Sequence, residues 1–260
     1  MGNIYWGTPG ALSAGANPSI IFLGDSWFWY PVGNLPLAIH TAFSEHDFLV
    51  VGRNGSEAAE WKDKHRKDID GAFKFYGDAA QALVLSGGGN DVAGASDFLK
   101  IIKANCSKAT TPQECYQPGQ PESLLSSLFG HYKSVILKFR ARNPQAPVIL
   151  HNYDNAWPSG KGFLGPSDWL QVPMDMAKVP KALRRDLFKD LIEQLHGLHQ
   201  ALADDQAVGP VLALKTAGTL PEKPDGVASW WANELHPTPR GFRRIADQKF
   251  IPELKKTITT

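Results

Sequence analysis

Ser26 and His236 are the two residues of this sequence that can be combined most directly into a reaction. A serine hydroxyl is a weak nucleophile until a base takes its proton during the attack. Imidazole titrates near neutral pH, so His236 can be that base and can later return the proton to a leaving alcohol. Such a pair would attack the carbonyl carbon of an ester and form an acyl-serine.

Attack on a carbonyl group places negative charge on its oxygen, and preorganised hydrogen-bond donors must meet that charge. The sequence offers three donors: the backbone N–H of Ser26, the backbone N–H of Gly55 and the side-chain amide of Asn90. Glycine suits position 55 because a side chain there would crowd the approach of a substrate. We therefore expect these three groups to form an oxyanion hole.

Apolar runs that alternate with helical patterns predict the scaffold, an α/β fold whose parallel sheet has roughly five strands and helices on both faces. The runs occupy residues 19–23, 48–51, 82–85, 148–150 followed by His151, and 211–214. Apolar residues at helical spacing predict long helices over 122–142 and 181–204. Thr238 is expected to cap a last helix that has Pro239 at its first position.

In sheets of this kind, ligands bind outside the carboxyl ends of the strands. Ser26 follows the first run, Gly55 the second and Asn90 the third, while His236 directly precedes the last helix. Residues from distant segments are therefore predicted to meet at one edge of the sheet. The length of 260 residues suits a single domain over residues 1–260, with loop insertions near 104–121 and 155–173.

Four blocks, in family order along the chain, resemble those of the SGNH (GDSL) hydrolases. They are Phe22-Leu23-Gly24-Asp25-Ser26, Gly52-Arg53-Asn54-Gly55, Gly88-Gly89-Asn90-Asp91 and His236-Pro237. The resemblance spans residues 22–237 and implies a three-layer α/β/α, flavodoxin-like fold. It also implies hydrolysis of esters, thioesters or acylated sugars without a metal or another cofactor, on small-molecule, lipid or glycan substrates.

One position departs from the family pattern. The family usually has an aspartate three residues before the histidine, where this chain has Asn233. In a Ser-His-Asp triad the acid fixes the imidazole tautomer and stabilises the imidazolium, and an Asp→Asn change in a serine protease costs about 10⁴ in turnover. Three alternatives remain open: Glu234 takes the role, Asp225 reaches in, or a Ser-His pair works with His236 held by Asn233 or by a backbone carbonyl.

Three further residues are candidates for contact with the substrate. Trp27 follows the nucleophile, Trp157 lies in the second insertion, and His151 ends the fourth apolar run at the same edge of the sheet. An aromatic rim beside a catalytic serine would suit an acyl chain or a sugar ring. The alternatives are structural, because aromatic residues often belong to the core and His151 could simply end its strand.

The charge pattern and the apolar runs argue against several partners. The net charge is +1 and no basic stripe occurs, so nucleic acid is not expected as a partner. No apolar run reaches the length that crosses a bilayer. The first basic residue is Arg53, so a Sec-type leader is not expected, and neither the destination nor the oligomeric state is predicted.

Two cysteines, Cys106 and Cys115, lie within the first insertion. A disulfide between them would favour the periplasm or the outside of the cell, and two free thiols are the alternative. They lack the second pair of ligands that a zinc site requires.

The function predicted from the sequence is hydrolysis of carboxylic esters, of the esterase or lipase type, through an acyl-Ser26 intermediate. An acyltransferase is an alternative, because it needs the same nucleophile, base and oxyanion hole. A catalytically silent carbohydrate- or lipid-binding module is the other alternative, and Asn233 is the residue that favours it.

Overall fold

A parallel sheet of six strands forms the centre of the molecule, as described by a computed structural model that covers residues 1–167, 169–222 and 227–258. The strand order is β1-β3-β2-β4-β5-β6, and every neighbouring pair is parallel. The strands are β1 (Ile4–Trp6), β2 (Ile20–Gly24), β3 (Phe48–Gly52), β4 (Ala82–Ser86), β5 (Val148–His151) and β6 (Val211–Leu214). The predicted α/β class is confirmed, and the five predicted runs are β2 to β6.

The first strand is the one that the sequence analysis missed. β1 has three residues at the edge of the sheet, and Trp6 at its end is exposed. By contrast, every residue of β2 and β4 is buried, because helices cover both faces of a parallel sheet. Continuous burial produces the apolar runs that made those strands predictable, and a short edge strand leaves no such run.

Helices on both sides of the sheet complete a three-layer α/β/α architecture. The shorter ones are α1 (Thr8–Ser13), α2 (Ser26–Trp29), α3 (Leu35–His40), α5 (Gly89–Val92), α6 (Ala95–Ile101), α7 (Pro112–Cys115), α9 (Gln171–Met176) and α11 (Val227–Trp230). The longer ones are α4 (Arg66–Tyr76), α8 (Gln120–Arg140) and α10 (Arg184–Asp204). In the described ranges, 3₁₀ turns cover Ala58–Lys62, Lys181–Leu183 and Gln206–Val208.

The C-terminal helix begins as predicted and is then interrupted. Thr238 caps α12 (Pro239–Ile245) by accepting a hydrogen bond from the Gly241 N–H at 3.1 Å. A π-helical turn, Ala246–Phe250, separates α12 from α13 (Ile251–Leu254). Pro252 has no N–H to donate to the preceding turn, which explains why the regular α-helical pattern is broken there.

Both cysteines of the first insertion are buried free thiols. The Cys106 thiol points at the Cys115 carbonyl oxygen, with a distance of 3.7 Å between sulfur and oxygen. Of the two alternatives left open by the sequence, the structure has the free thiols. No helix among the described residues combines the length and the apolar composition needed to cross a membrane.

Candidate active site

Ser26 is the first residue of α2, in the tight turn that follows β2. Asp25 caps this helix, because its Oδ1 accepts a hydrogen bond from the Trp27 N–H at 3.0 Å. The end of the neighbouring strand β3 passes very close to this turn. A Cβ atom on Gly52 would lie 1.9 Å from the Gly24 carbonyl oxygen, and Gly52 has a φ of +119°. Glycine at position 52 therefore lets the loop after β3 approach the nucleophile.

His236 lies next to Ser26, with 2.7 Å between His236 Nε2 and Ser26 Oγ. Its other ring nitrogen, Nδ1, is 2.9 Å from Asn233 Oδ1. That oxygen also accepts the backbone N–H groups of Leu235 and His236, at 3.0 and 2.8 Å, so the amide orientation is fixed. An amide oxygen can only accept, so Nδ1 carries the proton and Nε2 presents its lone pair to Ser26.

The His236 ring is enclosed by aromatic side chains. The Tyr30 ring is parallel to it, with centroids 4.2 Å apart and an interplanar angle of 2°. The Trp169 ring approaches at 5.7 Å and is nearly perpendicular. His236 is only 6% exposed, and burial lowers its pKa to about 4. The imidazole is therefore neutral, and able to accept a proton, throughout the neutral range.

Glu234 is next to Asn233 in sequence, but its carboxylate serves a different part of the chain. It accepts hydrogen bonds from the N–H groups of Gly160, Leu170 and Gln171 at 2.8–3.0 Å. The Ser167 hydroxyl donates a fourth, at 2.5 Å. Glu234 therefore anchors the second insertion, and the partner of His236 Nδ1 is Asn233. Asp225, the other carboxylate considered from the sequence, lies outside the described residues.

Two of the three candidate oxyanion donors, Gly55 and Asn90, lie on segments that are tied together. The Asn90 side-chain amide donates one hydrogen bond to the Ser56 carbonyl at 3.0 Å, and its second hydrogen is available. Gly55, next to Ser56, is exposed at a φ of +73°. Asn90 borders the same small cavity as Ser26 and His236, and Gly55 does not.

A buried network that the sequence did not predict lies beneath the nucleophile. The Tyr153 hydroxyl donates to Asp25 Oδ2 at 2.5 Å and accepts the Gly89 N–H at 3.0 Å. Ser86 donates to the other oxygen of Asp25 at 2.9 Å. Burial raises the pKa of Asp25 to about 6, although these hydrogen bonds lower it. Tyr153 thus joins the turn that carries Ser26 to the helix that carries Asn90.

The cavity beside Ser26 is small. Its empty volume is about 360 Å³, counting space that is open to solvent. Its walls are largely apolar and come from the ends of β2, β4 and β5, from α10 and from the His236 loop; they include Trp27, Gly89, Ala93, Tyr153, Ala156, Phe188, Ile192 and Leu235.

The three residues considered for substrate contact have different positions. Trp27 borders the cavity and donates its ring N–H to the Leu235 carbonyl at 3.2 Å. His151 is fully buried, stacks on Trp27 with centroids 5.4 Å apart, and does not border the cavity. The Arg185 guanidinium lies over the Trp157 ring, with 3.8 Å between Arg185 Cζ and the ring centroid. Trp157 does not border the cavity.

Asp154 is a further carboxylate at the cavity wall. It accepts backbone N–H groups of Asn155, Gly218 and Leu220 at 2.7–2.8 Å, which holds the loop after β6 against the loop after β5. Burial raises the pKa of Asp154 to about 6. Among the described residues, no group of three or more side chains is arranged to hold a metal ion.

The sequence pattern of the GDSL-like lipase/acylhydrolase family matches residues 22–244. This match covers most of the chain, and the chain belongs to that family. It is a carboxylic ester hydrolase. No curated protein matches the sequence.

Several solved structures share the fold at low sequence identity. Phospholipase A1 from Streptomyces albidoflavus NA297 is 17% identical, with a TM-score of 0.56 over 94% of this chain and 100% of that one. An extracellular lipase from Streptomyces rimosus is 15% identical, with a TM-score of 0.51 over 93% and 100%. An acetyl esterase mutant with acetate ion is 16% identical, with a TM-score of 0.52 over 92% and 97%.

Proposed function

We propose that the protein hydrolyses carboxylic esters through an acyl-enzyme on Ser26, with His236 as the general base. The observation that carries this proposal is the 2.7 Å distance between Ser26 Oγ and His236 Nε2, in a cavity that Asn90 also borders. A nucleophile, a base within hydrogen-bond reach and an oxyanion donor at one cavity are the parts required for acyl transfer.

In the first half of the reaction, Ser26 Oγ forms a bond to the ester carbonyl carbon while His236 Nε2 takes the hydroxyl proton. The tetrahedral intermediate then breaks its bond to the alcohol oxygen, and His236 returns the proton to that oxygen. In the second half, water attacks the acyl-serine and gives its proton to His236. Collapse releases the carboxylic acid and restores the Ser26 hydroxyl.

Negative charge on the tetrahedral intermediate would be met by the free hydrogen of the Asn90 amide and by backbone N–H groups. Ser26 is the first residue of α2, where the N–H has no partner inside the helix. Gly55 offers its N–H from the loop that Asn90 holds through Ser56. Loss of one such donor typically costs about 10²- to 10³-fold in kcat.

Asn233 performs one of the two roles of a triad aspartate, which are to orient the imidazole and to stabilise the imidazolium. Its oxygen fixes the tautomer and the orientation of His236 at 2.9 Å from Nδ1. As a neutral amide it adds no negative charge to stabilise the imidazolium. We therefore assign the catalytic unit as a Ser-His pair that Asn233 orients.

The size of the cavity supports esters of short acids. An acetyl group would fit beside Ser26 in this small, largely apolar cavity. Phe188 and Ile192 on α10 form part of the apolar wall against which its methyl group would pack. An ester of acetic acid, on an alcohol that remains outside the cavity, fits this geometry best.

The experiment is hydrolysis of p-nitrophenyl esters from acetate to palmitate by the native chain, by Ser26→Ala and by Ser126→Ala. We expect the highest kcat/KM with acetate and a loss of about 10³-fold or more in Ser26→Ala. Ser126 is exposed on α8, so its variant is the matched control and should keep native activity.

Hydrolysis that survives in Ser26→Ala would contradict the mechanism. A maximum with palmitate would contradict the short acyl group while leaving the serine mechanism intact. Adding glycerol to the assay tests acyl transfer, since an acyltransferase would produce glyceryl ester at the expense of free acid. Absence of activity in the native chain, with these esters and with acetylated sugars, would contradict the proposal that the substrate is a short-chain ester.

A further inference from the structure

The proposed mechanism places positive charge where the chain has no carboxylate to balance it. When His236 takes the Ser26 proton it becomes an imidazolium that is 6% exposed. A buried charge is strongly destabilised unless a partner compensates it. Its hydrogen-bond partners in the structure are Ser26 and Asn233, both of which are neutral.

The carboxylates of neighbouring elements are directed elsewhere. The Glu234 carboxylate accepts hydrogen bonds from the second insertion. The Asp25 carboxylate accepts hydrogen bonds from Tyr153, Ser86 and Trp27. The Asp154 carboxylate accepts hydrogen bonds from backbone N–H groups. Burial lowers the pKa of His236, and the side chains that hydrogen-bond to its ring are neutral. Stabilisation of the imidazolium must come from another kind of group.

Tyr30 has the geometry for that role. Its ring lies flat on the imidazole, with centroids 4.2 Å apart and an angle of 2° between the planes. The face of an aromatic ring is its negative side, and it attracts a cation within about 6 Å of the centroid. Tyr30 is 5% exposed, so water does not weaken this attraction. Phe163 supports the ring edge-on at 5.6 Å.

The hydroxyl of the same tyrosine acts on Asn233. It accepts a hydrogen bond from the Asn233 Nδ2 at 3.0 Å, which leaves the amide oxygen facing His236. One side chain therefore touches both the histidine and the residue that orients it. Burial raises the pKa of Tyr30, so the phenol stays neutral under the conditions of hydrolysis.

We propose that Tyr30 and Asn233 together replace the missing triad acid: the Tyr30 ring stabilises the protonated His236 through its face, and the Tyr30 hydroxyl holds the Asn233 amide that orients it. This inference rests on the proposed Ser26–His236 mechanism. Tyr30 is a positioning residue, because it acts through His236 and Asn233 and does not border the cavity.

The test changes the electronic character of the ring while keeping its shape. Position 30 is changed to phenylalanine (Tyr30→Phe) and then to pentafluorophenylalanine, whose face no longer attracts a cation. Tyr30→Phe should lower kcat about 2- to 5-fold through the loss of the hydroxyl contact to Asn233. The fluorinated ring should lower kcat a further 5- to 30-fold or so with little change in KM.

The same ring change is then made in the Asn233→Asp chain. A carboxylate at position 233 stabilises the imidazolium itself, so the fluorinated ring should cost less than about 3-fold there. Pentafluorophenylalanine at position 28 is the control. Phe28 is buried in α2, two residues before Tyr30, and packs on Phe22 and His151 instead of His236, so kcat should change less than about 2-fold.

An equal loss from the fluorinated ring in the native and Asn233→Asp chains would reduce Tyr30 to a packing residue and overturn the proposal. So would a fluorinated ring that leaves kcat equal to that of Tyr30→Phe. These outcomes differ from a failure of the underlying mechanism, which would appear as hydrolysis that persists in Ser26→Ala.

Discussion

At the scale of single residues, the environment of His236 sets the pH range in which the enzyme should work. Three features act on the ring: it is buried, its Nδ1 partner is a neutral amide, and an aromatic face covers it. Burial disfavours the protonated form and lowers the pKa of His236 to about 4. A triad aspartate would act in the opposite direction, because it favours the charged imidazole.

We predict that kcat/KM for p-nitrophenyl acetate stays nearly constant from pH 8 down to about pH 5 and falls with a midpoint near pH 4. The base works only when neutral, so activity disappears as the pH drops through the pKa of His236. The measurement is initial rate against pH, read at the wavelength where nitrophenol and nitrophenolate absorb equally.

Circular dichroism at each pH distinguishes the predicted fall in kcat/KM from unfolding of the protein in acid. Asn233→Asp is the informative comparison, because its carboxylate should move the midpoint upward. A native midpoint near pH 6.5, the ordinary value for histidine, would contradict the effect of burial.

At the scale of elements, the site depends on how separate strand ends are joined. The nucleophile follows β2 and the oxyanion asparagine follows β4, and Tyr153 after β5 connects them. Tyr153 has a φ of +61°, an uncommon conformation for a residue with a side chain. This backbone strain is consistent with a residue whose hydroxyl position matters to the site.

We predict that Tyr153→Phe lowers kcat about tenfold with less than a threefold change in KM. The variant removes hydrogen bonds to Asp25 and Gly89, and a buried bond to a carboxylate is worth about 1.5–3 kcal/mol. Tyr116→Phe is the matched control, because Tyr116 donates to Asp190 at 2.7 Å and does not border the cavity. Equal kcat values in the two variants would show that Tyr153 only stabilises the fold.

Sequence reasoning succeeded where burial or a local motif leaves a pattern. Strands β2 to β6 are apolar runs, and Thr238 with Pro239 identifies the start of α12. The candidate residues Ser26, Asn90 and His236 lie in the family blocks and meet at one cavity, although their roles remain proposals. Single-domain organisation also remains a prediction.

The network around the site could not be predicted because its contacts join distant positions. Tyr153 is 128 residues from Asp25, and Asn233 is 203 residues from Tyr30. No spacing rule connects such pairs, and an aromatic residue after a strand is equally compatible with the core. Asn233 could be recognised in the sequence as a departure from the family pattern. Its hydrogen bonds to Tyr30 and to the His236 ring depend on tertiary structure.

At the scale of the whole molecule, a histidine is buried in the core where charge cannot be accommodated. His199 on α10 is fully buried against the Tyr132 ring at 5.0 Å. Neither of its ring nitrogens hydrogen-bonds to another described residue. Burial lowers the pKa of His199 well below its ordinary value, so the folded chain keeps this ring neutral.

We predict that His199→Leu stabilises the protein more at pH 5.5 than at pH 7.5. Below pH 6.5 the unfolded native chain binds a proton on His199 and the folded chain does not. The free energy of unfolding of the native chain therefore falls by about 1.4 kcal/mol per pH unit from this residue. Leucine removes that dependence. The difference in the free energy of unfolding between the variant and the native chain should therefore be about 1.4 kcal/mol larger at pH 5.5 than at pH 7.5.

Urea unfolding of both chains at the two pH values measures this difference. Comparing the variant with the native chain cancels the contributions of the other buried groups, which both chains retain. An advantage that is equal at pH 5.5 and pH 7.5 would mean that His199 is not kept neutral in the folded state.

Asn233 and Glu234 are consecutive residues that face opposite ways. Asn233 faces the histidine and Glu234 faces the second insertion, and this arrangement has a consequence for protein engineering. The Ser167 hydroxyl is the side-chain donor to Glu234, so Ser167→Ala should loosen the peptide that carries Asn233. The bonds from Gly160, Leu170 and Gln171 come from backbone N–H groups, which most substitutions keep. The tip of the insertion, residues 162–165, makes none of these bonds to Glu234, and Leu164 there is 90% exposed. Libraries that vary Leu164 alone should therefore change the exposed surface of the insertion, while they keep the Glu234 contacts and Phe163, whose ring packs against Tyr30.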